Sequence, residues 1–195
     1  MKLVSKLALA SAMVLGFASS ASAQSVSYNT TGFFTGGGAG CNLLTVCTIG
    51  TSSITFTPQG ATTVTSPTNI TFGEFITASA SGSTSFAGVS FTLNVNQTGP
   101  TAGSQIVTGA LVGSLTPTSS TVTWLNAPAN FVIGPVTYTI QSPAILVAPN
   151  NSPLPNTTLQ GAVVTASTVP EPSTYALMAA GLAAMGLVAR RRRNA

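Results

Sequence analysis

Very few side chains in this sequence can do chemistry. It contains no His and no Asp; its acidic residues are Glu74 and Glu171, and its thiols are Cys41 and Cys47. Without His there is no Ser-His-Asp or Cys-His pair. Between residues 24 and 168 there is no Lys for a Ser-Lys device. Glu74 stands alone there, so the paired carboxylates of a glycosidase cannot be assembled within one chain. Cys41 and Cys47 have five residues between them. In an exported chain two such cysteines form one disulfide closing a small loop; free thiols are the alternative. A metal would need more ligands, and a catalytic thiol would need a base. Glu74 lies in Thr71-Phe72-Gly73-Glu74-Phe75-Ile76. Two phenylalanines beside it would raise its pKa by desolvation. The plainer reading is a solvated charge at a strand edge, which discourages edge pairing. Gly36-Gly37-Gly38-Ala39-Gly40 has no following Lys or helix, so it reads as a flexible loop and not a phosphate cradle. The inventory predicts no enzyme, no metal and no cofactor.

The remaining charges are Lys2, Lys6 and Arg190 to Arg193. Residues 1–23 carry +2, residues 24–168 carry −1 and residues 169–195 carry +3, making up the net +4. The basic pI near 9.6 therefore belongs to the two ends. The middle has no Lys or Arg to neutralise phosphates, which argues against nucleic acid as a partner.

The ends read as targeting segments. Met1 to Lys6 is a positive start, Leu7 to Ala18 is apolar, and Ala21-Ser22-Ala23 fits a small-x-small cleavage site before Gln24. Residues 1–23 are thus expected to be a signal helix removed by signal peptidase; a retained anchor is the alternative. At the other end, Val169, Pro170, Glu171, Pro172 and Ser173 make a stiff, non-helical start, because Pro restricts itself and the residue before it. An apolar run from Tyr175 to Ala189 follows, then Arg190, Arg191, Arg192 and Arg193. Ser173 or Thr174 caps the expected helix. Over 173–189 it would span roughly 26 Å, slightly short of a hydrocarbon core of about 30 Å. We therefore expect a transmembrane helix over 173–189, its Arg cluster a cytoplasmic stop and residues 24–172 outside. A plain single-pass anchor without processing is the simpler alternative.

Val-Pro-Glu-Pro-Ser, a short apolar helix and an Arg-rich stretch, in that order in a chain with a signal peptide, resemble the PEP-CTERM sorting signal. The same segment is sometimes labelled an ice-binding-protein C-terminal domain. The resemblance covers residues 169–195 only. It implies a Gram-negative host that makes extracellular polysaccharide. It also implies an exosortase, a membrane cysteine enzyme resembling transpeptidases, acting near Pro170 to Pro172. The chain would be an inner-membrane intermediate before processing, then pass to the outer surface or the extracellular matrix.

Residues 24–168 form a segment of normal single-domain size. It reads as strands and turns throughout. Val89, Phe91, Leu93 and Val95 alternate with Ser90, Thr92, Asn94 and Asn96, as in a strand with one wet face. Ile54/Phe56, Val122/Trp124 and Val136/Tyr138/Ile140 alternate with Thr in the same way. Ile106–Leu115 and Thr158–Ser167 are further strands. Breakers such as Pro58-Gln59-Gly60, Gly99-Pro100 and Gly134-Pro135 recur between them. Residues 32–40 and 149–157 read as long loops. The pattern predicts an all-β fold, an antiparallel β-sandwich or jelly roll, flanked by the signal helix and the transmembrane helix.

Two surface patterns stand out. Asn29, Asn69, Asn96, Asn150 and Asn156 sit in Asn-x-Ser/Thr, which an Asn-, Ser- and Thr-rich chain produces by chance. Thr55/Thr57, Thr121/Thr123 and Thr137/Thr139 form Thr-x-Thr pairs that would order water as an ice-binding surface does; ordinary β-propensity explains them too. The expected function is structural or adhesive, in exopolysaccharide or biofilm, through an uncharged hydroxyl- and amide-rich surface. Tyr28, Trp124 and Tyr138 are the candidates for stacking on sugars, although strand position puts Trp124 and Tyr138 in the core. A specific glycan- or partner-binding module is the second reading; an ice-binding protein or a hydrolase ranks below it.

Overall fold

The computed structural model describes residues 23–150, 155–166 and 171–193. The signal segment 1–22, Val169 and Pro170 lie outside the described residues. The β domain runs from Ala23 to Ala166 and is all-β: two curled antiparallel sheets face each other. The first sheet takes, edge to edge, β13 (Ala144–Ile145), β10 (Thr123–Ala127), β8 (Gly103–Val112), β7 (Val89–Gly99), β1 (Ser25–Gly36) and β4 (Thr62–Thr65). The second takes β11 (Asn130–Ile133), β12 (Val136–Ile140), β14 (Asn156–Thr165), β5 (Thr68–Ser79), β3 (Ser52–Pro58) and β2 (Val46–Ile49). A minor pair joins β6 (Thr84–Ser85) to β9 (Ser114–Leu115).

Alternation builds the core. On β7, Val89, Phe91, Leu93 and Val95 are all fully buried, as the period of two requires. Five strands drawn from both sheets contribute one aromatic cluster. Phe34 of β1, Phe91 of β7 and Trp124 of β10 meet Phe56 of β3 and Phe75 of β5, with ring centroids 4.7 to 6.3 Å apart. A second group joins Tyr28 and Tyr138 to Phe72, and Phe131 stacks on Tyr138 at 5.1 Å. Each fully buried ring contributes on the order of 2 kcal/mol of apolar transfer.

Buried polar side chains tie one sheet to the other. The Tyr138 hydroxyl donates to Gln97 Oε1 at 2.7 Å, and Gln97 Nε2 donates to the Thr101 carbonyl at 2.6 Å. Thr30 Oγ1 donates to the Phe72 carbonyl at 2.7 Å, and the Tyr28 hydroxyl donates to the Thr71 carbonyl at 2.8 Å. One side of the sandwich is closed by the stretch after β13. Leu146 N donates to the Val122 carbonyl beside β10, while Thr77 Oγ1 of β5 donates to the Val147 carbonyl at 2.6 Å.

β5 carries the main irregularity. Its register with β14 shifts between Thr158 and Gln160, so Phe72 and Gly73 together oppose Leu159. This bulge lets Phe72 and Phe75, three residues apart, both face the core. Gly73 sits at φ +127°, and a Cβ there would meet the Thr57 carbonyl oxygen and the Phe56 ring. β1 also differs from expectation: it continues to Gly36, so residues 32–36 are strand and not loop. The loop after it is closely packed rather than slack, since a Cβ on Gly36 would strike the Gly88 carbonyl oxygen.

The tail forms helix α1 (Glu171–Arg193). It starts two residues before the expected Ser173, because Pro is tolerated in a first helical turn, where its missing N–H has no partner to lose. It also runs through Arg190 to Arg193, where positive charge complements the carbonyl end of a helix. The transmembrane helix expected over 173–189 falls partly on residues 173–176 and 187–189, whose side chains lie outside the described residues; among the described residues no helix is long and apolar enough to cross a membrane.

Gly73→Ala should lower the unfolding free energy by at least about 2 kcal/mol, combining backbone strain and core displacement. Gly60→Ala, where a Cβ meets nothing, should change it by less than about 0.5 kcal/mol. Urea denaturation followed by tryptophan fluorescence measures both.

Candidate functional site

The residues with chemical potential are kept apart by the fold. Cys41 and Cys47 are joined as a disulfide, with both residues fully buried. Cys41 ends a short 3-10 turn and Cys47 lies on β2. The closed loop spans both sheets: Phe34 N donates to the Leu44 carbonyl and Phe56 N to the Thr45 carbonyl, each at 2.8 Å. The bridge is a staple at one end of the sandwich. It holds Leu43, at φ +55°, and Leu44 out in solvent.

Glu74 is not at a sheet edge as expected. β5 is central in the second sheet, between β14 and β3. Glu74 lies half-buried on its outer face, and Oε2 accepts from Asn156 Nδ2 at 3.2 Å. Phe72 and Phe75 point the other way, into the core. Among the described residues there is no cluster of His, Cys, Asp or Glu that would hold a metal.

All three candidate stacking residues are core. Tyr28 is 2 % exposed, and Trp124 and Tyr138 are fully buried. Burial pushes the Tyr28 phenol up to about 12, a shift partly offset by its hydrogen bond to the Thr71 carbonyl. Burial also holds Tyr138 well above its usual range, and the charge Tyr28 would carry as a phenolate adds to that. The Thr-x-Thr pairs form no common array. Thr55/Thr57 on β3 and Thr137/Thr139 on β12 are separated by β5 and β14, and Thr121/Thr123 belong to the first sheet or its approach.

Two residues not singled out by the sequence patterns lie together on the outer face of the first sheet. Phe33 is half-buried there, whereas every other described Phe is buried. It pairs with Thr92 of β7, which pairs in turn with Thr108 of β8; their hydroxyls meet at 3.1 Å. One row along, Thr31 pairs with Asn94, and the next row places Asn29 against Asn96 and Ser104. Asn94 Oδ1 is buried with no hydrogen-bond partner among the described residues. Trp124 Nε1 and both amide atoms of Asn126 are likewise unpartnered, on the inner face of β10. Phe33 escaped notice because it falls within the stretch read as loop.

Residues 168–193 match the family model described as the PEP-CTERM protein-sorting motif. No curated protein and no solved structure matches the chain. The chain carries a PEP-CTERM sorting signal, which implies export, a membrane-anchored sorting step and exosortase as the processing partner. The ice-binding label has no support in this match. Within the motif, Glu171, Pro172 and Ser173 open helix α1, and Arg190 and Arg191 are exposed near its other end.

Cys41→Ser/Cys47→Ser, or reduction, should cost about 2 kcal/mol by the loop-entropy relation for so short a loop; denaturant midpoints with and without reductant measure it. The melting temperature should stay level from about pH 6 to 9, because residues 24–166 contain no His, Asp, Lys or Arg. Phenols raised above an unfolded value near 10 favour the fold below that pH. Their contribution is lost as pH rises from 10 through the folded value of about 12 for Tyr28. The melting curve should therefore drop above pH 10, and Tyr28→Phe/Tyr138→Phe should flatten that drop, as read by calorimetry.

Proposed function

We propose that the β domain serves as a structural or adhesive component of an extracellular polysaccharide matrix, delivered there by its sorting signal. The observation that carries this reading is a sorting motif joined to a domain with one charged side chain, Glu74, between residues 24 and 166. Such a surface meets its surroundings through Thr, Ser, Asn and Gln. Hydroxyl and amide groups both donate and accept hydrogen bonds, as sugar hydroxyls do. A nearly uncharged domain also lacks the self-repulsion that keeps proteins apart, which suits a packed matrix.

In this reading signal peptidase removes residues 1–23, exosortase acts near Pro170 to Pro172, and the mature domain reaches the outer surface or the matrix. The role is non-catalytic: the lone carboxylate is engaged by Asn156, and both cysteines are spent in a disulfide. A second reading, a module that binds a particular glycan, is favoured by Phe33 on the outer face of the first sheet.

Fractionation of the native host with intact-mass measurement tests the proposal. A chain lacking residues 1–23 and ending near residue 170, found in the outer-membrane or extracellular fraction, is expected. A full C-terminal end in the inner membrane would overturn the processing and the destination together.

A further inference from the structure

We propose that the outer face of the first sheet, centred on β7, is a binding surface for a linear uncharged polysaccharide. The proposal rests on the matrix reading above and assigns that reading a site.

Two observations converge on this face. The first is the side-chain ladder. Along β7, Thr92, Asn94 and Asn96 share the outer face at every second residue, a repeat of about 7 Å. The register extends each step sideways, to Phe33, Thr31 and Asn29 on β1. Asn96 is exposed and Asn94 half-buried, whereas Thr92 is buried with its hydroxyl engaged by Thr108, and exposed Ile106 flanks Asn94 on β8; the amides suit a polymer that presents its own hydroxyls. The second is Phe33. A half-exposed ring amid hydroxyls and amides offers an apolar platform to the C–H face of a sugar ring while its neighbours bond the rim. Both sheets expose aliphatic side chains, Ile106 and Leu125 on the first and Ile76, Val132 and Val164 on the second, but among the described residues the second has no aromatic ring on its outer face, and it carries Glu74.

The charge of the face chooses the occupant. No cation lies on it to neutralise a nucleic acid, a uronate polymer or an anionic lipid. No anion lies on it to hold a basic partner. An uncharged polymer rich in hydroxyls is what remains complementary.

Biolayer interferometry with the full-length protein over immobilised dextran, galactomannan and hydroxyethylcellulose tests the assignment, with alginate and heparin as charged comparators. Saturable binding to at least one neutral polymer and none to the charged pair is expected. Phe33→Ala should weaken binding at least tenfold and Phe33→Tyr should retain it. Asn96→Lys, at an exposed position, should weaken it at least tenfold without lowering the melting temperature, and Thr139→Lys on the opposite sheet should leave it unchanged. Absence of binding to all three neutral polymers overturns the site, as does binding that Phe33→Ala and Asn96→Lys leave intact. A concentration-dependent dimer that Asn96→Lys dissolves would assign the face to a second copy and also overturn it. These failures leave the cell-fractionation result standing, so the site and the matrix reading fail separately.

Discussion

The aromatic wedge between the sheets is the contact on which the domain depends. Phe34, Phe91 and Trp124 come from the first sheet, and Phe56 and Phe75 come from the second. No ion pair can help, since residues 24–166 contain one acidic residue and no basic one. Apolar burial, neutral hydrogen bonds and one short disulfide must supply the stability. The inner faces are accordingly mostly apolar, and buried polar residues such as Gln97 and Thr30 are bonded across to the other sheet. Small devices protect the wedge. The bulge at Gly73 turns an extra ring inward, and the short disulfide fastens the end of the sandwich where β1 meets β3.

The same economy shapes the outside. With so little charge, the surface is set by whichever residues strands tolerate on a wet face, mainly Thr, Ser and Asn. A surface of this kind is chemically uniform, and it discriminates through shape and spacing more than through attraction. Phe33 and Asn94 break that uniformity on one sheet only.

Much of the fold could be read along the chain, and the limits have physical causes. β7 was legible because Val89, Phe91, Leu93 and Val95 keep a strict period of two. β5 was not, because the bulge at Gly73 places its two core rings three residues apart. β1 was obscured because its inner face includes Thr30 and Gly32, small or polar residues that give no apolar signal. Glu74 looked like an edge guard because local sequence carries no strand order; only the insertion of β14 beside β5 makes its strand central. The sorting tail was legible as three parts in order.

The placement of the last strand has a mechanical consequence. β14 lies between β12 and β5, antiparallel to both, and the sorting tail follows from its end in the sequence. Tension applied through that end is directed along the strand axis. The bonds on both flanks are then loaded together in shear, instead of being peeled apart one by one as they would be at a sheet margin. A domain tethered through such a strand resists being pulled out of its fold, a useful property for a protein whose sorting signal follows that strand.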